Sequence, residues 1–472
     1  MVTPVNWTSD LLPHETEPWD LVVVGGGTGG IVAAKTAAGL GSRVLLIERH
    51  RPGGDCLWRG CVPSKALLGR ANRTGASTSD FGAAMAHVHE SIATIEPVDS
   101  PDTLRRVGVR VVHGDAEFSG PTSLTVNATT VRFRHAVIST GSTPTMPAIP
   151  GLECVEAVTS DSVWTLTKRP ESLLVIGAGN IGCELGQAFA RLGTRVTLIE
   201  SGPRILPRED LDAAQVLSSV LVADGVDVRT GVSVTRFEGT TALLDNGDEI
   251  ETGLVLVAVG RQPSTDGLGL EPAGVRIGPG GHVVVDKRLR TTNRRIWAVG
   301  DVTTNPAFTH VAGGHGSQAA ANAVLGLRRS VDLATVPRVT YTQPEVAAFG
   351  VGLDKVGMHG LIAHTVGHDE VDRAVVDGRT EGFSRLVLDG RGRIVGATIV
   401  GPRAGESLAE VVLAARHGLR ARDIAGSMHA YPTYSDGVWK AALAQLQEDL
   451  AGRWTRRVIT VLVSLRRLAH RA

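Results

Sequence analysis

The sequence predicts an α/β chain in which two parallel-sheet units are followed by an α+β domain. Three observations carry that class: an internal repeat at residues 19–48 and 171–200, a surplus of glycine, and a change of texture from Arg338 onward. At roughly 150 residues per domain, a chain of 472 residues holds about three. The 57 glycines are about 12% of the chain against a usual ~7%, which suits many tight strand-to-helix turns. Hydrophobic residues at 42% and charged residues at 20% are ordinary for a globular protein. Forty-eight basic and 48 acidic residues cancel to a formal net charge of +0, which argues against nucleic-acid binding driven by bulk charge. Four cysteines in so long a chain do not form a secreted disulfide framework. Residues 1–18 lack an apolar core, and no run nears the ~18 apolar residues that span a bilayer. A cytoplasmic location is the expectation.

The repeat is read element by element. Trp19 to Val24 is an apolar strand, Gly25 to Gly30 a glycine turn, Ile31 to Gly39 an Ala-rich helix, and Arg43 to Glu48 a second strand. Leu173 to Ile176, Gly177 to Gly182, Cys183 to Leu192 and Arg195 to Glu200 repeat the order. The units end in similar strings, LGSRVLLIE and LGTRVTLIE. Each is the start of a βαβ unit, with strand period giving way to helix period. Apolar strands follow downstream, ending at Gly141, Gly260 and Asp301. Proline-bearing stretches near 144–150 and 263 mark domain edges. The expected division is 1–151 with 284–333 as the first domain, 152–283 as the second, 334–450 as a third with alternating short strands and Ala/Leu-rich helices, and 451–472 as a tail.

The glycines have chemical reasons. Gly25 makes a tight turn, Gly27 lets backbone N–H groups approach a pyrophosphate, and Gly30 permits close helix–strand packing. The helix N-terminus then favours phosphate. An acid stands 23 positions beyond the first glycine in both copies, Glu48 and Glu200, placed to accept from a ribose diol. Gly177, Gly179 and Gly182 repeat the glycine roles. GxGxxG alone is weak, but strand, helix and acid in register twice predict two Rossmann-like dinucleotide-binding domains. Glu200 would repel a 2′-phosphate, which favours NADH. Arg204 and Arg208 lie just beyond and keep NADPH open.

Cys56 and Cys61 stand in GGDCLWRGCVPSKALL, soon after Glu48. A structural zinc would want four ligands at shorter cysteine spacing, and no second cluster exists. The surrounding glycines and Pro63 opening a helix favour a redox pair, because a helix N-terminus lowers a thiol pKa. Two buried inert thiols are the plain alternative. Cys154, in a connector, and Cys183, within a helix, read as filler.

With these residues in hand, the chain resembles the pyridine nucleotide–disulfide oxidoreductases over about 20–455. The further motifs are GDAEF at 114–118, STGSTP at 139–144, GRQPS at 260–264, AVGDV at 298–302, THVAGG at 309–314 and VPRVTYTQPEVAAFG at 336–350. The resemblance implies FAD in the first domain, NAD(P)H in the second, and a C-terminal domain that builds a homodimer. It implies that Asp301 binds the ribityl hydroxyls, that the backbone at Ala116 meets the adenine, and that Gly141 and Gly260 border the cofactors. It implies that Cys61 lies against the flavin and that Cys56 is the exposed thiol attacking substrate. Lys65 and Glu184 resemble an ion pair at the flavin–nicotinamide junction, with a plain salt bridge as the alternative.

The family's disulfide reductases end in a motif like HPTxxE, whose His serves as acid and base. Here the segment is HAYPTYSDG, with Tyr431 before Pro432 and Asp436 for the Glu. A phenol with pKa near 10 is a poor base where an imidazole near 6.5 cycles freely. His429 is two residues away, on the same side of an extended segment, and is a candidate substitute. Tyr431, an acid five residues on, and GGDCL resemble the mercuric reductases, in which a soft metal held by thiolates needs no general base. Against this, no cysteine follows Cys183 and no N-terminal metal-binding domain is seen. In the tail, Trp454, Val458, Val461, Leu462, Leu465 and Leu468 share one helical face, opposite Arg456, Arg457, Arg466, Arg467 and Arg471. That pattern suits peripheral contact with an anionic membrane, at the inner face, or a helix packed on its own dimer.

The sequence therefore reads as an FAD enzyme passing electrons from NADH to a Cys56–Cys61 disulfide and on to a small-molecule or metal-ion acceptor, with Hg(II) foremost and no structural metal site. Dihydrolipoamide dehydrogenase-like exchange, a quinone or dye reductase, and a flavin-bound redox sensor or scaffold are the alternatives.

Overall fold

A computed structural model describes residues 9–10, 12, 17–73, 81–358 and 360–469. The chain forms two compact units. One comprises residues up to Pro203 together with Gly225–Val331, the other Arg204–Asp224 together with Asp332 onward.

The first unit contains both halves of the repeat. Strands Trp19–Val24, Val44–Glu48, Val109–His113 and Thr129–Ile138 lie parallel. Ile296–Ala298 also pairs with the interior strand Thr129–Ile138 in parallel, and Ala116–Gly120 with Ser123–Val126 extend the sheet antiparallel. The strand residues Leu21, Val22 and Val23 are fully buried, as a parallel sheet covered on both faces requires. Helix Thr28–Gly39 packs on helix Thr309–Leu325 over one face. A second parallel sheet runs Asp227–Thr230, Arg195–Glu200, Ser172–Ile176, Leu254–Val257, Ala157–Thr159. The repeated strings thus form the same structure twice, and in each sheet the fingerprint strand is central.

The second unit is an antiparallel sheet of Arg338–Thr340, Glu345–Gly350, Ile394–Gly401, Phe383–Leu388 and Ile362–Gly367. Its buried face packs against helices Ala404–Arg416 and Asp436–Ala451. The sequence reading placed 204–224 in the second nucleotide-binding segment, whereas helix Leu211–Ala223 groups with this unit. Charge pairing explains the grouping. Arg385, 5% exposed, reaches Asp210 at 3.1 Å and also Asp212, and Arg338 reaches Glu209 at 2.7 Å.

Helix Arg453–Ala469 follows Asp436–Ala451 after Gly452. Among the described residues no helix is long and apolar enough to cross a membrane. The side chains of Trp454 and Leu468, and Arg471 altogether, lie outside the described residues.

Candidate active site

Both fingerprints fold by one design. The middle glycine, Gly27 or Gly179, is the helix N-cap and offers no side-chain cap, so the first-turn N–H groups stay available to an anion. Close approach fixes the third glycine: a Cβ on Gly30 would lie 1.9 Å from the Gly25 carbonyl oxygen, and one on Gly182 1.9 Å from that of Gly177. The first glycine takes φ +102° in both copies, a conformation open to glycine.

The acids do something the sequence reading missed. Glu48 accepts from the backbone N–H groups of Gly26 at 2.6 Å and His50 at 2.7 Å. Glu200 accepts from Ala178 at 2.9 Å and Gly202 at 2.8 Å. Each carboxylate braces its own glycine turn and keeps lone pairs for a diol. Arg204 spends its guanidinium on the carbonyls of Pro207 and Glu209.

One groove of roughly 680 Å³ gathers Gly25, Gly27, Glu48, Ala116, Gly141, Asp301 and Cys56. It joins an anion-ready helix N-terminus to a carboxylate, and Cys56 is part of its lining. Those residues fit a flavin dinucleotide: phosphates at the glycine turn, hydroxyls at Glu48 and Asp301. Asp301 is held by the Ser142 hydroxyl at 2.9 Å. In the second sheet Gly177, Gly179, Gly182 and Glu200 repeat the cradle, and Gly260 has φ +134° where its strand passes into Arg261–Pro263.

The thiols sit in two consecutive helices, and only Cys61 is at a helix head. Cys56 lies in Gly54–Trp58 and Cys61 begins Cys61–Ala71. Pro63 is therefore in the first turn rather than its opening residue. Both cysteines are free thiols and half-buried. The thiol loop packs closely on the first glycine turn, since a Cβ on Gly54 would lie 2.5 Å from Gly27 Cα. A hydrogen bond from the Cys56 thiol draws the Cys61 pKa down to about 6, aided by the Thr309 hydroxyl at 3.1 Å and by Lys65. The same bond, with burial, pushes Cys56 up. One sulfur is thus the thiolate and the other its donor. Lys65, one turn beyond Cys61, pairs with Glu184 of helix Asn180–Arg191 at 2.7 Å. The predicted ion pair is present and links the thiol helix to the second fingerprint helix. Cys183 is fully buried beside it, its thiol donating to Ala178, and Cys154 is exposed.

Around the CxxxxC loop runs a ring of charges that sequence reasoning passed over. Arg261 contacts the Asp55 carboxylate and Asp161 at 3.2 Å, and Asp161 reaches Arg59 at 3.0 Å. Arg261 also donates to the Ser142 hydroxyl and carbonyl, both at 2.8 Å. Burial raises the Asp55 pKa and Arg261 opposes it. Trp164 Nε1 donates to the Arg59 carbonyl at 2.8 Å, and the Arg51 guanidinium lies 3.6 Å over Trp58. The signal was there in part: Arg261 and Ser142 stand inside GRQPS and STGSTP.

The second unit holds the remaining candidates, and it separates them. The Tyr431 hydroxyl donates to Asp372 at 2.5 Å, and this bond raises its pKa. Asp436, the expected partner, instead starts helix Asp436–Ala451 and is buried. His429 does not share Tyr431's surroundings. Its Nε2 meets Glu410 at 2.9 Å and its Nδ1 meets the Ser427 carbonyl at 3.1 Å. Tyr431 is 72% exposed, whereas the His429 side chain is 11% exposed. Among the described residues, no cluster of three or more His, Cys, Asp or Glu is placed to hold a metal ion.

Residues 19–316 match the pyridine nucleotide-disulphide oxidoreductase family, and 336–442 match that family's dimerisation domain. The chain belongs to the pyridine nucleotide-disulphide oxidoreductases. This oxidoreductase is 36% identical over 463 residues to a mercuric reductase of Streptomyces lividans, covering 92% of the chain and 97% of the relative. It is equally 36% identical over 457 residues to a dihydrolipoyl dehydrogenase of Thermus scotoductus, covering 90% and 97%. Among solved structures it resembles a Cu(II) complex of the HOCl-induced flavoprotein disulfide reductase RclA from Escherichia coli, with TM-score 0.84 and 27% identity over 91% of the chain and 99% of the other. LpdA from Mycobacterium tuberculosis gives TM-score 0.83 and 26% identity, over 90% and 99%. The oxidoreductase is thus a flavoprotein that uses FAD and NAD(P)H.

Proposed function

We propose that this flavoprotein works as a homodimer that takes electrons from NADH through Cys56 and Cys61 to a thiol-reactive metal ion, with Hg(II) as the substrate. FAD, when bound, accepts the hydride of NADH and supplies its two electrons onward. The balance is NADH plus Hg(II) giving NAD⁺, a proton and Hg(0).

In this reading the glycine turns and their braced acids hold the two dinucleotides, with Glu200 favouring the free 2′-hydroxyl of NADH. Lys65 and Glu184 fix the thiol helix against the second fingerprint helix, and Lys65 stabilises thiolate at Cys61. Cys56 and Cys61 ligate the soft ion, which thiolates select over hard ligands. The ion departs as an atom, so no leaving thiolate has to be protonated.

The observation that carries the reading is Tyr431. Reductive cleavage of a disulfide needs an acid and base near neutral pH, and Tyr431 stands where the resemblance expects that imidazole. Its bond to Asp372 moves the phenol further from that range. His429 does not fill the gap in this reading, because both its ring nitrogens already have partners. The mercuric reductase relatives support the same choice of acceptor.

The test is NADH oxidation by the purified flavoprotein with Hg(II) in excess thiol, against the same assay with lipoamide. Turnover with Hg(II), abolished in Cys56→Ser, and negligible turnover with lipoamide are expected. Faster turnover with lipoamide, lost in His429→Gln, would replace this reading with disulfide exchange.

A further inference from the structure

We infer that helix Arg453–Ala469 is a docking element for an anionic lipid surface. It lies beyond the residues matched to the dimerisation domain. In a chain of net charge +0 it holds five arginines and no acidic residue. Its described side chains from Arg456 to Arg467 are exposed. Val458, Val461, Leu462 and Leu465 are 54%, 56%, 60% and 57% exposed, and at 100° per residue they fall within one 100° arc. Arg456 and Arg467 lie opposite that arc, and Arg457 and Arg466 border it.

Apolar side chains this exposed need a cover, and the charge selects it. A second copy of the helix, face to face, would bring the bordering arginines of both copies together with no carboxylate between them. A zwitterionic bilayer would accept the apolar arc and leave the arginines without counter-charge. An anionic surface takes both: the arc sinks to the headgroup–acyl boundary while the bordering arginines reach lipid phosphates. Each arginine near such a surface adds about fivefold to affinity, screened by salt.

The experiment uses the full-length, flavin-loaded protein and co-sedimentation with vesicles of phosphatidylcholine alone or with about one-third phosphatidylglycerol. Binding to the anionic vesicles, at least tenfold weaker on phosphatidylcholine and weakened by salt, is expected. Arg457→Gln with Arg466→Gln should lose at least tenfold, and Leu462→Ser with Leu465→Ser should lose binding altogether. NADH-dependent turnover in solution should stay unchanged in both. Equal binding to both vesicle types, or none to either, overturns the inference. A drop in oligomeric state in the Leu462/Leu465 variant, seen by sedimentation velocity, also overturns it and makes a second copy the occupant.

Discussion

Arg261→Met should loosen the CxxxxC loop and the flavin groove together. Arg261 is 21% exposed at its side chain and makes contacts in three directions: to Asp55, to Asp161 and Ser160, and to both oxygens of Ser142. Removing one partner of a buried pair costs about 3–5 kcal/mol. Two features reduce that here, because Asp55 is 42% exposed and Asp161 keeps Arg59 at 3.0 Å. The lost bonds to Ser142 add back about 1–2 kcal/mol. A net loss of about 3 kcal/mol is expected, read by urea titration of the holoprotein with flavin fluorescence reporting release. Ser142 also holds Asp301, so flavin should be released at lower urea than the backbone unfolds. Asp55→Asn tests the wiring: in the Arg261→Met background it should cost about 1–2 kcal/mol less than in the native protein, since it removes the charge left stranded. If the two changes add within ~0.5 kcal/mol and flavin is released no earlier, the ring does not couple the loop to the groove.

The Cys61 thiolate should be visible by ultraviolet absorbance in the reduced protein, titrating near pH 6, with Lys65→Met moving the midpoint upward; an unmoved midpoint would remove Lys65 from the argument. Because this pKa lies below that of an unfolded thiol, its contribution to stability is full above the unfolded value and is lost as pH falls through about 6. Gly30→Ala should abolish flavin binding or folding, since the new Cβ meets a carbonyl oxygen at 1.9 Å, whereas Gly39→Ala meets nothing within 4 Å and should be silent; flavin content of the purified variants decides. In the second unit, burial lowers the His368 pKa to about 4. The unfolded chain therefore binds a proton that the fold refuses, and about 3 kcal/mol of stability should drain away between pH 6.5 and 4. Thermal melts of His368→Gln should be flatter across that range, and an identical slope would show that other groups govern acid unfolding.

The parts of this protein legible in the sequence are those written locally. A strand, a glycine turn and a helix occupy thirty consecutive residues, and steric limits on the turn leave little choice of residue type. Lys65 and Glu184 were legible by resemblance alone, since 119 positions separate them. Local spacing misled where a side chain finds its partner across the fold. Asp436 is five residues from Tyr431 and looked like its carboxylate, yet the tyrosine turned to Asp372, 59 positions away. An extended segment would put His429 on the side of Tyr431, yet Glu410 on a neighbouring helix holds its Nε2. The grouping of 204–224 with the C-terminal unit has the same origin, because three acids at 209–212 met Arg338 and Arg385.

The charges around the thiols divide their labour. Asp55, Arg261, Asp161 and Arg59 alternate in sign, so their fields largely cancel at a distance while their contacts immobilise the loop. The charges that move the Cys61 pKa are Lys65, which lowers it, and Glu184, which raises it. Lys65 contacts Glu184 directly, so it is a half-compensated cation, strong enough to favour a thiolate and restrained by a partner on another helix. A shift of helix Asn180–Arg191 that lengthened the 2.7 Å contact would strengthen the Lys65 field on Cys61. Glu184 stands two residues after Gly182, on the helix whose N-terminus forms the second cradle. If occupancy of that cradle moves the helix, thiolate stability is expected to follow through this one side chain. Glu184→Gln should lower the thiolate midpoint and, in the same protein, make it insensitive to NAD⁺. A midpoint that still responds to NAD⁺ after the substitution would show that the tie runs elsewhere.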